Sequence, residues 1–331
     1  MQTEHWLLIL IALPVSFSLV WLLTRGLGAR LALDQPNARS LHTTPTPRTG
    51  GLGMLGGMIA GWLAVPITLP PAIWAGAGLL AGLSFFDDRY GLPTSLRFLA
   101  HALAALWLIN AIGAHWSIWL WPLLFFSVVW MTNLYNFMDG SDGLAGGMAV
   151  FGFGTYALAA VMQGQADLAL ASAVIAIAAV GFLIFNFPPA RVFMGDAGSI
   201  PLGFLAAGLG LLGTAQAVWP TWFPLLVFAP FILDASVTLL RRSLRGEKIW
   251  HAHKEHYYQR LIRMGWSHRK TALAEYAVMF ASGGVALICL FAPAPISTLI
   301  AALWGALLVA TLRLIDRRWR HFQKISHAQA G

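Results

Sequence analysis

Apolar runs long enough to cross a bilayer recur along this chain almost from end to end, and a water-soluble domain has no interior able to take them all. Crossing about 30 Å of hydrocarbon requires roughly 20 apolar residues in a helix. Such runs lie near residues 6–24, 51–69, 71–86, 96–112, 117–136 and 143–162, and again near 168–186, 199–214, 220–240, 271–291 and 295–313. The fold class they predict is all-α, a polytopic integral membrane protein of about 11 transmembrane helices. Of 331 residues, 58% are apolar and 10% charged, against roughly 25% charged for a soluble domain. No long hydrophilic interval separates the runs, so residues 1–331 read as one membrane domain. The first run is expected to be a retained helix and not a signal peptide, because no Lys or Arg precedes it and no small-residue cleavage pattern follows.

The charges fix a sidedness. Connections near 70, 115, 165, 217 and 293 carry no Lys or Arg, so all 21 basic residues fall in the alternate ones and in the C-terminal tail. The positive-inside rule then puts the N-terminus outside and the C-terminus in the cytoplasm. A net charge of +8 raises nucleic acid as a partner. Its confinement to gaps between apolar runs points to anionic lipid instead, with no nucleic-acid partner. The lone Cys289 sits within an apolar run, which excludes a disulfide framework or a thiolate metal site.

Thirteen acidic residues are few enough to place one by one. Asp87, Asp88, Asp139, Asp142 and Asp196 all fall in loops on the cytoplasmic side, in the segments LSFFDDRYGLP, NLYNFMDGSDGLAGG and VFMGDAGSIPLG. Carboxylates flush against a membrane span are costly and functional by default. Asp142 and Ser199 precede spans and are positioned to cap them. Asp87 and Asp88 instead end a span, where the helix dipole repels negative charge. Two such carboxylates at ~5 Å repel by ~3 kcal/mol at an effective dielectric of ~20, so a cation is expected beside them. Oxygen-only ligands favour Mg²⁺, or Mn²⁺, over zinc. Gly140, Gly143, Gly195 and Gly198 would let backbone N–H groups approach a phosphate.

The longest cytoplasmic loop, 241–270, holds nine cations and four histidines. His253 and His256 are expected on one helical face, suited to a diphosphate or sugar, or else the segment lies on anionic lipid. Arg39, His42 and Arg48, beside TGGLGMLGG in the first loop, raise the same two readings. Arg97 and Arg191 are phosphate-clamp candidates by position.

Together these segments resemble the polyprenyl-phosphate N-acetylhexosamine-1-phosphate transferases, from about Asp34 to Trp266. DQPNARSLH with PTPRTGGLG is similar to that family's first cytoplasmic loop, FFDDRYGLP to its paired-aspartate motif, NLYNFMDGSDGLAGG to its Asn and Asp motif, and FMGDAGS to its metal-site motif. The resemblance implies catalytic loops at 25–50, 87–96, 137–143, 187–198 and 241–270. It implies Mg²⁺ on Asp196 and Asp88, catalytic roles for Asp87, Asp88, Asp139 and His256, and substrate binding by Asn136, Asp142, Arg97, Arg191, His253 and Arg48. Its substrates would be a UDP-HexNAc donor and undecaprenyl phosphate in a bacterial inner membrane, with room for a homodimer. Where the family often shows HxHH or HHH, this chain reads AHKEHYYQ. That resembles a branch associated with O-antigen synthesis from UDP-FucNAc or UDP-QuiNAc. A transporter, the rival class, predicts charges near span centres, yet only Asp234 lies even slightly inside one.

Overall fold

The computed structural model describes residues 3–25, 32–35, 44–113, 116–248 and 253–330; Arg39 and His42 lie outside them. Helices α1 (Thr3–Leu8) and α2 (Ala12–Leu23), joined by a 3₁₀ turn, make the first apolar rod. A minimal antiparallel ladder follows, with β1 (Leu33–Asp34) opposite β2 (Thr46–Pro47). Then come α3 (Gly50–Leu63), α4 (Pro71–Tyr90), α5 (Thr94–Ile112), α6 (Trp121–Phe137), α7 (Leu144–Met162), α8 (Ala166–Asn186) and α9 (Asp196–Ala215). The chain closes with α10 (Trp222–Val227), α11 (Ala229–Leu244), α12 (Tyr257–Arg263), α13 (His268–Phe291) and α14 (Ala294–Ala330).

Each apolar run forms helix over at least part of its length, and among the described residues eight helices are long and apolar enough to cross a membrane. The chain is a multi-pass, all-α membrane protein, as expected where hydrocarbon forces backbone groups to bond within their own segment. The remaining runs depart from the expected boundaries for identifiable reasons. The second ends at Leu63 because Pro66 and Pro70 follow, and proline cannot extend a helix. The ninth breaks at Phe228, where Pro230 starts α11. α4 runs on through Asp87 and Asp88 to Tyr90, and its three terminal charges make it too polar to class as a span by composition. α14 does not stop at residue 313 but continues as one 37-residue helix. The loss of apolarity there ended the span, but nothing in the tail breaks a helix.

α9 lies at the centre, packed on α4 and α6, while α7 pairs with α8 and α2 with α3. Of α9, 83% is buried within the protein, against 6% of the apolar part of α14. Leu299, Leu303 and Leu307 on α14 are exposed, as a lipid-facing surface requires. Small residues permit the tight central crossings. A Cβ on Gly203 would lie 2.6 Å from the Met131 carbonyl of α6, and one on Gly51 2.5 Å from Gly198 Cα. The first turn of α3 is thereby pressed against the first turn of α9, and residues 47–51 are zipped to residues 193–194. Phe193 N donates to Pro47 O, Gly50 N to Phe193 O and Gly51 N to Met194 O.

Candidate active site

The start of α9 is the point where the polar segments meet. Gly195 precedes it with φ 72° and ψ 169°, backbone that L residues with a side chain do not readily adopt. A Cβ there would also lie 2.5 Å from Arg48 O. This turn puts Asp196 in the first turn of α9, where the helix dipole favours a carboxylate. Asn136, at the end of α6, donates through Nδ2 to Asp196 Oδ1 at 2.9 Å and to Ser199 Oγ at 2.9 Å.

Arg48 is the cation among the acids. Its guanidinium lies 3.8 Å from Asp88 Oδ1 and 3.6 Å from Asp196 Oδ1. Among the described residues this one guanidinium faces at least three carboxylates. Burial and the neighbouring Asp196 push the Asp88 carboxyl up to about 6, with Arg48 and the Ala197 backbone pulling it back. Asp139, half-buried in the loop after α6, is pushed well above the usual carboxylate range, first by burial and then by Asp196 and Asp88 against the pull of Arg48. Among the described residues these three carboxylates have one cation between them, an oxygen-only donor set that fits a hard divalent ion. As the side chains stand, no three His, Cys, Asp or Glu among the described residues close into a metal shell, and Arg48 occupies the space between Asp88 and Asp196.

Asp87, next to Asp88, faces other partners. It accepts from Leu92 N at 2.7 Å and from Arg97 Nη1 at 2.7 Å, so the cation expected at the end of α4 is Arg97. Asp142 does not cap α7, whose N-cap is Gly143 at φ 76°. Its Oδ2 accepts from Ala190 N at 3.0 Å and its Oδ1 lies 3.6 Å from His268 Nδ1, so it ties two loops together. Ser199 lies inside α9 and donates to Gly195 O. Arg191 turns back on α8, donating to Ile184 O and stacking over Phe185.

The histidine loop forms a second layer on the 137–140 segment. Tyr258 donates to Phe137 O at 3.2 Å, and a Cβ on Gly140 would lie 2.2 Å from its hydroxyl oxygen. His256 is buried, with Nδ1 3.1 Å from Asp234 Oδ1. The same Asp234 carboxylate accepts from Tyr257 N and Tyr258 N at 2.9 and 3.1 Å and so caps α12 from α11. Burial lowers His253 to about 4, helped by His256 and Arg242, and its ring centre lies 4.8 Å from that of His256. Sequence reasoning missed Asp234, Tyr258, Asn186 and Tyr276 as supports. Asn186 Oδ1 accepts from Gly143 N and Tyr276 donates to Gly143 O. Only Asn186 carried a local signal, a single polar residue at the end of an apolar run.

Comparison with known proteins fits this geometry. Residues 71–214, which hold Asp87 through Asp196, match the family described as Glycosyl transferase family 4. The chain is 32% identical over 302 residues, 85% of its length and 84% of the other's, to the probable undecaprenyl-phosphate N-acetylglucosaminyl 1-phosphate transferase of Bacillus subtilis. The chain belongs to the polyprenyl-phosphate N-acetylhexosamine-1-phosphate transferase family. Within this transferase family it is also 30% identical to the decaprenyl-phosphate N-acetylglucosaminephosphotransferase of Mycobacterium tuberculosis, covering 86% of this chain and 82% of that one. A phospho-N-acetylmuramoyl-pentapeptide-transferase of Staphylococcus saprophyticus is 29% identical over 85% of this chain and 98% of its own. At 85–86% of this chain, these matches extend well beyond residues 71–214.

Proposed function

We propose that the protein transfers an N-acetylhexosamine-1-phosphate from a UDP-activated amino sugar to undecaprenyl phosphate, releasing UMP, at the cytoplasmic face of a bacterial inner membrane. The donor is UDP-GlcNAc or a deoxy relative such as UDP-FucNAc or UDP-QuiNAc, and the product starts a lipid-linked glycan such as O-antigen. Eleven crossings, with the N-terminus outside, agree with the one-sided basic residues. The observation that carries the reading is the meeting of Asp88, Asp139 and Asp196, from three separate segments, around Arg48.

An oxygen of the acceptor phosphate attacks the β-phosphorus of the donor, and the bond to the UMP oxygen breaks. A phosphate monoester with a second pKa near 6 is mostly dianionic at neutral pH, so the attack needs little help from a base. Mg²⁺, or Mn²⁺ in its place, would be held by Asp196 and Asp88 and would supply positive charge to the phosphate oxygens as negative charge grows on them. Asn136 keeps Asp196 oriented. Arg48, with its side chain about a third exposed, turns from the carboxylates to phosphate oxygens. Asp139 is poised to hold a proton beside them.

Purified protein with undecaprenyl phosphate, Mg²⁺ and a panel of UDP-HexNAc donors should release UMP with at least one donor, and chelation should stop it. No UMP from any donor, with cooperative thermal unfolding as evidence of folded protein, would sink the proposal. Turnover that survives chelation would remove the metal from it.

A further inference from the structure

A second polar region lies on the far side of α12. Where α14 leaves the apolar zone, it forms with α11 and α12 a cavity of about 630 Å³ lined, among the described residues, by seven arginines and three acidic residues. The acids are already taken. Asp316 accepts from Arg241, from Arg260 Nη1 at 3.0 Å and from Tyr257 at 3.2 Å. Glu247 and Glu255 both pair with Arg245. Arg263 stacks over Trp319 at 4.7 Å. Arg263, Arg313, Arg317 and Arg320 have no acidic partner among the described residues. The Arg260 side chain is 6% exposed, and its buried Nε has no hydrogen-bond partner. A built wall of guanidinium donors with a carboxylate deficit is a site for an anion with several oxygens.

The depth of the cavity identifies the source of that anion. The apolar stretch of α14 before Arg313 spans ~28 Å at 1.5 Å per residue, which matches the hydrocarbon thickness. Arg313, Asp316 and Arg317 therefore sit within about one turn of the hydrocarbon edge, at headgroup level. Basic pockets between helices at that level suit anionic lipid headgroups. We propose that this cavity binds the phosphate of an anionic glycerophospholipid. It shares no lining residue with the aspartate cluster, so the proposal stands apart from the transfer reaction.

The test uses the full chain in detergent, with thermal unfolding followed as phosphatidylglycerol or phosphatidylcholine is added. Phosphatidylglycerol should raise Tm and phosphatidylcholine should not. R313Q/R317Q should need roughly 10- to 30-fold more phosphatidylglycerol for half the shift. The charge-matched pair R318Q/K324Q, exposed on the same helix but outside the cavity, should stay within about twofold of the wild type. Should R313Q/R317Q fail to fold, R320Q alone should move the midpoint in the same direction. Equal loss in both pairs would overturn the proposal in favour of diffuse attraction. Displacement of phosphatidylglycerol by inorganic pyrophosphate would overturn it in favour of a soluble ligand, and stronger displacement by undecaprenyl phosphate in favour of an acceptor site.

Discussion

The aspartate cluster at the start of α9 and the arginine cavity at the foot of α14 are opposites in charge. At the first, Asp88, Asp139 and Asp196 share Arg48. At the second, seven arginines line the same space as three acids. Both lie at the end of an apolar helix, where unpaired charge is costly. The two proposals rest on these imbalances, a cation at the first site and an oxyanion at the second. α12 stands between them, with Tyr258 on the aspartate side and Tyr257 and Arg260 on the cavity side.

The strongest way to break this contrast is to neutralise the first site. Asp196→Asn should lower kcat/KM for UMP release by about 10²- to 10³-fold, on the order of 3–4 kcal/mol of transition-state stabilisation. Its Tm should barely move, since an amide oxygen can still accept from Asn136. Full activity in this variant would mean that the negative charge on α9 has no chemical role. Removing the cation probes the opposite side of the imbalance. Arg48→Gln should reduce turnover by at least about 10-fold through lost phosphate binding, and Mg²⁺ should raise its Tm more than that of the wild type. An equal Mg²⁺ shift in both proteins would show that Arg48 and the metal do not compete.

The succession of apolar helices was legible because hydrocarbon allows so few solutions. The aspartates were legible as a set because so few acids are present. Their grouping was not. Asp87 and Asp88 are neighbours in sequence but lie about 100° apart around α4, so one faces Arg97 and the other Arg48. Nor did the motifs reveal that Asp234, counted only as a charge near a span, caps α12 and orients His256. That function depends on a contact between residues 22 to 24 positions apart, which no local pattern encodes.

The Asp87–Arg97 pair gives an internal control in which the charges do balance. A double-mutant cycle of Asp87→Asn and Arg97→Gln, read by thermal or chemical unfolding, should return a coupling of only ~1 kcal/mol, because the arginine is partly exposed and water screens it. Activity of Asp87→Asn should fall far less than that of Asp196→Asn. If the two aspartates proved equally costly at equal stability, the boundary drawn between the balanced and the unbalanced carboxylate would be in the wrong place.

The smallest expected effect lies at His253, on the segment that joins the two regions. Burial holds its imidazole down at about 4 against an ordinary 6.5, so the folded protein keeps it neutral where the unfolded chain protonates it. The unfolded state therefore binds more protons between those values, and stability falls as pH drops through that window while remaining intact above it. His253→Gln should flatten the fall in Tm between pH 6.5 and pH 4 and leave the neutral-pH value nearly unchanged. An acid limb of unchanged slope would place the titration in another group, and not in Asp88 or Asp139, whose raised carboxyls gain stability as pH falls; it would mean that α12 is braced by its hydrogen bonds to Asp234 without any contribution from a neutral His253.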